Sequence, residues 1–78
     1  MDYLKNKEFI IEFGKNLRKI RKNKGLTQQD LANDIAVEIS QISRIERGII
    51  NTSISTANTL AEALKIDITE LFSFDNKE

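Results

Sequence analysis

The stretch Thr27-Gln28-Gln29-Asp30-Leu31-Ala32-Asn33-Asp34-Ile35-Ala36-Val37-Glu38-Ile39-Ser40-Gln41-Ile42-Ser43-Arg44-Ile45-Glu46-Arg47-Gly48 decides how this chain folds. Thr27 has the chemistry of a helix N-cap, because its hydroxyl can accept from a free N–H of the first turn. Asp30, three residues on, stands where a capping-box acid belongs. Leu31 and Ile35 mark a buried face, and Ala32 is small enough to let another helix approach closely. The pattern breaks at Ala36-Val37. A second short helix is predicted over residues 39–47, with Ile42 and Ile45 turned inward and Gly48 ending it. Two short helices separated by about three residues have the spacing of a helix-turn-helix. The outward face of the second is Ser40, Ser43, Arg44 and Arg47, at i, i+3, i+4 and i+7. Small polar side chains let a helix seat deep in a major groove, and arginine reaches guanine O6 and N7 with two hydrogen bonds. Arg47, near the helix end, suits a phosphate. The same spacing also describes an ordinary solvated face.

Working outward, a longer helix is predicted over residues 7–24, with residues 1–6 extending it or fraying from it. Ile10, Phe13, Leu17 and Ile20 form one face, and Lys15, Arg18, Lys19 and Lys22 the opposite one. Gly25 follows as its C′ residue. Downstream, Ser53 is the expected N-cap of a fourth helix whose core stripe is Ile54, Leu60, Ala61 and Leu64. Asp67 caps a short fifth helix, with Glu70 completing a capping box and Ile68, Leu71 and Phe72 buried. Ile66-Asp67-Ile68 alternates over three residues only. The fold class is therefore all-α, a compact five-helix domain.

Composition narrows the chemistry. The chain has 78 residues, 12 Lys+Arg against 12 Asp+Glu, and no His, Cys, Pro or Trp. Without Cys or His there is no disulfide, thiol nucleophile or common metal ligand, and the commonest general base is missing. The longest apolar run, Phe9-Ile10-Ile11, is too short to span a membrane. No enzyme activity, cofactor, metal, small-molecule ligand or membrane association is expected, and the location is expected to be cytoplasmic. The length leaves room for one domain and none for a separate ligand-sensing one. The zero net charge hides an uneven distribution: residues 1–26 hold 8 basic and 3 acidic groups, residues 27–48 hold 2 and 4, and residues 49–78 hold 2 and 5.

Gly25-Leu26-Thr27-Gln28-Gln29-Asp30-Leu31-Ala32, followed by Ile42-Ser43-Arg44-Ile45-Glu46-Arg47-Gly48, resembles the phage-repressor (Cro-like, xenobiotic-response-element) helix-turn-helix family. Asn51-Thr52-Ser53-Ile54, Leu60-Ala61-Glu62-Ala63-Leu64 and Ile68-Thr69-Glu70-Leu71-Phe72 continue the pattern. The resemblance implies a lambda-repressor-like DNA-binding domain over residues 13–72, preceded by an extension over residues 1–12 and followed by a polar tail over residues 73–78. It implies that Thr27 and Gln28 sit against a phosphate, and that Glu38, Ile39 and Ser40 touch base edges. Arg44 one turn later, with Ser43 beside it, completes the base-reading set. Gln41, Arg47 and Asn51 would contact the flanking backbone, and Arg21 would pair with Glu46.

The chain departs from the family pattern at several of these positions. Glu38 stands where a small polar N-cap is usual, and suits a cytosine N4 amine. Ile39 stands where Gln is frequent; it can press on a thymine methyl or pack beside Ile42. Ala36 and Lys65 replace turn glycines, and Ile49 replaces a lysine. The implied function is a sequence-specific transcriptional regulator of double-stranded DNA, a repressor, bound as a homodimer to a pseudo-palindromic operator. Tyr3, Leu4, Phe9, Phe72 and Phe74 exceed the needs of so small a core and are candidate dimer contacts, as is the region of helices four and five. The alternative is a protein-interaction module on the same scaffold, such as an antitoxin-like partner of a toxin. It is favoured by the apolar and acidic surface of Glu38, Ile39, Ile49 and Ile50.

Overall fold

The computed structural model describes residues 3–74 as five helices and, among the described residues, no strand: α1 Tyr3–Asn23, α2 Gln28–Asp34, α3 Ile39–Glu46, α4 Ile54–Leu64 and α5 Ile68–Leu71. The expected tail residues Asp75 to Glu78 and the side chains of Tyr3 and Leu4 lie outside the described residues. Helix α1 begins at Tyr3, earlier than the periodicity predicts. At about 1.5 Å per residue its 21 residues account for most of the 34 Å long axis.

Three caps act locally to start helices. Thr27 Oγ1 accepts from Asp30 N–H at 2.9 Å while Asp30 Oδ2 accepts from Thr27 N–H at 2.9 Å, the reciprocal box expected for α2. Ser53 Oγ accepts from Thr56 N–H at 3.1 Å and starts α4. At α5, Asp67 Oδ1 accepts from both the N–H and the hydroxyl of Thr69, so the cap is an Asp67–Thr69 turn rather than the expected box with Glu70.

The core gathers Phe13 and Leu17 from α1, Leu31 and Ala32 from α2, Ile42 and Ile45 from α3, Ala57, Leu60, Ala61 and Leu64 from α4, and Leu71 from α5. Two expected core residues stand outside it. Ile54 is 86% exposed, because it is the first residue of α4 and lies beyond the edge of the core; the buried stripe runs through Ala57 instead. Phe72 is 45% exposed. It follows α5 as the C-cap and joins an aromatic cluster at the rim, 5.0 Å from Phe13 and 6.3 Å from Phe9 between ring centroids. Phe74 packs 5.2 Å from Phe9 in the same cluster.

Gly14 explains how α1 meets α3. A methyl group there would run into the Ile45 carbonyl oxygen and lie 2.6 Å from that of Glu46, so only glycine permits this approach. Gly48, after α3, has φ +72°, and a methyl group there would lie 2.7 Å from Ile11 Cα. Ala36 and Lys65 take the left-handed conformation that the missing glycines would have taken, at φ 58° and 59°. Each side chain accepts a cost of about 1–2 kcal/mol for that backbone. The turns are therefore retained with strain rather than reshaped.

Candidate nucleic-acid interface

The site begins with a buried ion pair. Arg21 Nε donates to Glu46 Oε2 at 2.6 Å and Nη2 donates to Oε1 at 3.0 Å, a two-pronged contact, while Nη1 donates to the Leu26 carbonyl at 2.7 Å. Both residues are buried. Hydrogen bonding to Glu46, opposed by desolvation and aided by the Glu46 charge, raises the Arg21 pKa above its ordinary value. Gln28 Nε2 adds a third donor to Glu46 Oε1 at 3.0 Å. One carboxylate at the end of α3 thus ties α1 and the start of α2 to that helix. The planar guanidinium fork suits this task because it meets a carboxylate with two parallel bonds.

Held in this way, α3 presents a continuous face. Ser40, Arg44 and Arg47 are exposed and Ser43 is half-buried. Arg47 Nε donates to Ser43 Oγ at 3.1 Å and to the Ser43 carbonyl at 3.4 Å, which lays its guanidinium back along the helix. Arg44 is exposed and, among the described residues, enters no ion pair. Glu38 is the exposed N-cap of α3 and makes no side-chain cap bond. Ile39 follows it, 41% exposed, and Gln41 is half-buried. Asn51 is exposed on the loop leaving α3.

At the start of α2, Thr27 Oγ1 accepts from Asp30 N–H. The two hydrogen bonds from Thr27 hold the Asp30 carboxyl below the ordinary carboxylate range. That charge already occupies the helix N-terminus and works against a second anion there. The side chain of Gln28, expected at a phosphate, lies instead on Glu46. Ser40, Ser43, Arg44 and Arg47 therefore share one exposed face, with Glu38 and Ile39 at its leading end, Thr27 at its margin and Gln28 beneath it. Among the described residues no group of acidic side chains converges as it would to hold a metal ion.

Two parts of this arrangement were invisible to sequence reasoning. The Gln28–Glu46 contact depends on the angle between α2 and α3. Asn6 and Lys7 of α1 line one cleft with Gly48, Ile49 and Asn51 of the loop after α3. Gly14, alone inside an amphipathic helix, was the available signal that α1 runs close to α3.

The helix-turn-helix of α2 and α3, with its cationic and small polar outward face, defines a DNA-binding class of domain. The helix-turn-helix domain family matches residues 14–75. The control protein C.MunI from Mycoplasma sp is 38% identical over 69 residues, covering 87% of this chain and 93% of that protein. An uncharacterized HTH-type transcriptional regulator from Archaeoglobus fulgidus is 34% identical over 62 residues, 80% of this chain and 89% of that protein. The crystal structure of the restriction-modification controller protein C.AhdI from Aeromonas hydrophila matches with a TM-score of 0.79 at 40% identity, covering 81% of this chain and 96% of that one. The chain belongs to this phage-repressor-like helix-turn-helix family of DNA-binding regulators. Among the described residues no helix is long and apolar enough to cross a membrane.

Proposed function

We propose that the protein is a cytoplasmic, sequence-specific transcriptional repressor of the restriction-modification controller type, binding as a homodimer to a pseudo-palindromic operator. The observation that carries this is the exposed α3 face of Ser40, Ser43, Arg44 and Arg47, held against α1 and α2 by the buried Arg21–Glu46 pair. The domain of residues 13–72 does this work, and α3 enters the major groove. Arg44 reads a guanine, Glu38 a cytosine amine and Ile39 a thymine methyl, while Ser40 and Ser43 let the helix sit close. Thr27, Gln28, Gln41, Arg47 and Asn51 contact phosphates and fix the register. Gln28 does so through the part of its amide not given to Glu46.

A single copy offers few base contacts, so two copies read half-sites about 34–36 Å apart. The exposed apolar residues Phe9, Ile54 and Phe72, around a groove lined also by Ile50, Thr52 and Ala57, support a second copy as the occupant of that surface. The exposed Ile49 beside α3 favours the alternative, a protein partner at the same face.

Electrophoretic mobility shift with the gene's own upstream DNA, at two salt concentrations, tests the proposal. A specific shift at low salt that weakens at higher salt is the expected result. A protein that shifts no DNA specifically at low salt is not this regulator, and the protein-partner alternative then takes its place.

A further inference from the structure

Resting on the DNA-binding function proposed above, we infer that Lys7 of α1, with Asn6 and Asn51 beside it, holds a DNA backbone phosphate next to the segment that α3 reads. The family match begins at residue 14, so the first turns of α1 lie outside it. They are nonetheless ordered helix, and they run past the loop that leaves α3. Asn6, Lys7 and Ile10 form one wall of a cleft whose other wall is Gly48, Ile49 and Asn51. The walls are fixed relative to each other, since Gly48 has no room for a side chain against Ile11.

The chemistry of the cleft is that of an anion site. It contains one ammonium and two side-chain amides, and no carboxylate lines it. Lys7 is exposed and, among the described residues, enters no ion pair. Of the acidic residues that follow it on α1, Glu8 is exposed and does not line the cleft, and Glu12 is bonded to Lys15 at 3.5 Å. The same chemistry would accept a free phosphate ion. The position beside Asn51, on the loop immediately after the reading helix, favours a phosphate of the bound duplex. The cation also adds to a modest supply, because α3 with its caps carries two arginines, Arg44 and Arg47, against Glu38 at its start.

The test compares wild type with Lys7→Ala and Lys7→Arg on an operator duplex and on the same duplex trimmed of its flanks. Each phosphate contact contributes about 0.9 to the slope of log affinity against log salt, which amounts to about eightfold per copy at 0.1 M salt relative to 1 M. Lys7→Ala is expected to lose that affinity and slope while keeping the same base preference and the same melting temperature. Lys7→Arg retains both. Trimming the flanks is expected to weaken wild type more than Lys7→Ala, so that the two differ less on the trimmed duplex.

Wild-type affinity and slope in Lys7→Ala, with specific binding intact, would overturn the inference and leave the regulator function standing. So would a changed base preference, or an effect of Lys7→Ala that persists undiminished on the trimmed duplex, as a site for free phosphate would give. Loss of specific binding by wild type itself would instead remove the function on which the inference rests.

Discussion

Replacing Arg21 with Met keeps much of the side chain's volume and removes its charge and five donors. Glu46 is then left 5% exposed in its present setting with Gln28 Nε2 as its remaining side-chain donor, and the Leu26 carbonyl loses its Arg21 partner. Breaking a buried pair by removing one partner costs about 3–5 kcal/mol, most of it from the charge left behind. A domain of this length has roughly 4–12 kcal/mol of total stability at typical values per residue. Arg21→Met is therefore expected to remove at least about a quarter of the domain's stability at 25 °C, and to bring the domain to its unfolding midpoint where the total is about 4 kcal/mol. The double variant Arg21→Met/Glu46→Leu removes the stranded carboxylate as well, and is expected to recover much of the loss, since apolar replacement of a whole buried pair is often neutral. Urea unfolding followed by helical circular dichroism gives both numbers, at one fixed protein concentration because the proposed dimer would add to apparent stability. Two results refute the reasoning: a loss below about 1 kcal/mol in Arg21→Met, or a double variant as unstable as the sum of the single ones.

Further perturbations test other parts of the molecule. Arg44→Ala is expected to relax preference at one base pair and cost about 1–3 kcal/mol, whereas Arg47→Ala weakens all sequences alike; selection of bound sequences from a random pool separates the two. Ala36→Gly relieves the left-handed strain at φ 58° and is expected to raise stability by about 1 kcal/mol in urea unfolding. Asp30 is held below its ordinary range in the folded state, so its stabilising contribution is full above about pH 4 and is lost as pH falls through the lower folded value. Asp30→Asn is expected to flatten the fall of melting temperature over that acid range, and an unchanged acid profile would contradict the capping assignment. Ile54→Asp places a charge on a surface 86% exposed in one copy, so the monomer fold persists. Each copy of a dimer would forgo about 1.5–3 kcal/mol of apolar burial, and sedimentation velocity should show association at least roughly a hundredfold weaker than wild type.

Local signals made most of the fold legible. Thr27, Ser53 and Asp67 each identify a helix start because the cap is chemistry between near neighbours. The Ile10, Phe13 and Leu17 face follows from helical period alone. What period cannot know is where the core stops. Ile54 is in phase with Ala57 yet stands one turn beyond the buried region, and Phe72 is spread across the rim by its two aromatic neighbours. Arg21 and Glu46 lie 25 residues apart, so spacing says nothing of their contact and only the family resemblance suggested it. The Gln28–Glu46 bond and the cleft of Lys7 and Asn51 were legible from neither source. The first needs the crossing of α2 and α3, and the second needs an α1 that begins before the family pattern does. The glycines missing at Ala36 and Lys65 pointed to strain or a changed turn, and the backbone took the strain.

The charge distribution bears on how such a small regulator would find its site. A chain with equal numbers of acidic and basic residues lacks the general attraction that brings strongly basic proteins to any duplex. Among its cations, Arg21 is withdrawn into the core by Glu46, and Arg47 is tethered to Ser43. The first lowers the field available for non-specific binding, and both pre-set the geometry of the α3 face. Ordering a long side chain at an interface costs about 0.5–1.5 kcal/mol, and Arg47 has already borne part of that cost in the free protein. On the proposed reading, affinity comes from fit and from pairing two copies more than from net charge. Binding to random sequence is correspondingly weak, which favours discrimination when a cell offers millions of wrong sites for each right one. On the proposed reading, a cation on α1, beside the loop rather than on α3, would add attraction to the backbone without disturbing the side chains assigned to read bases.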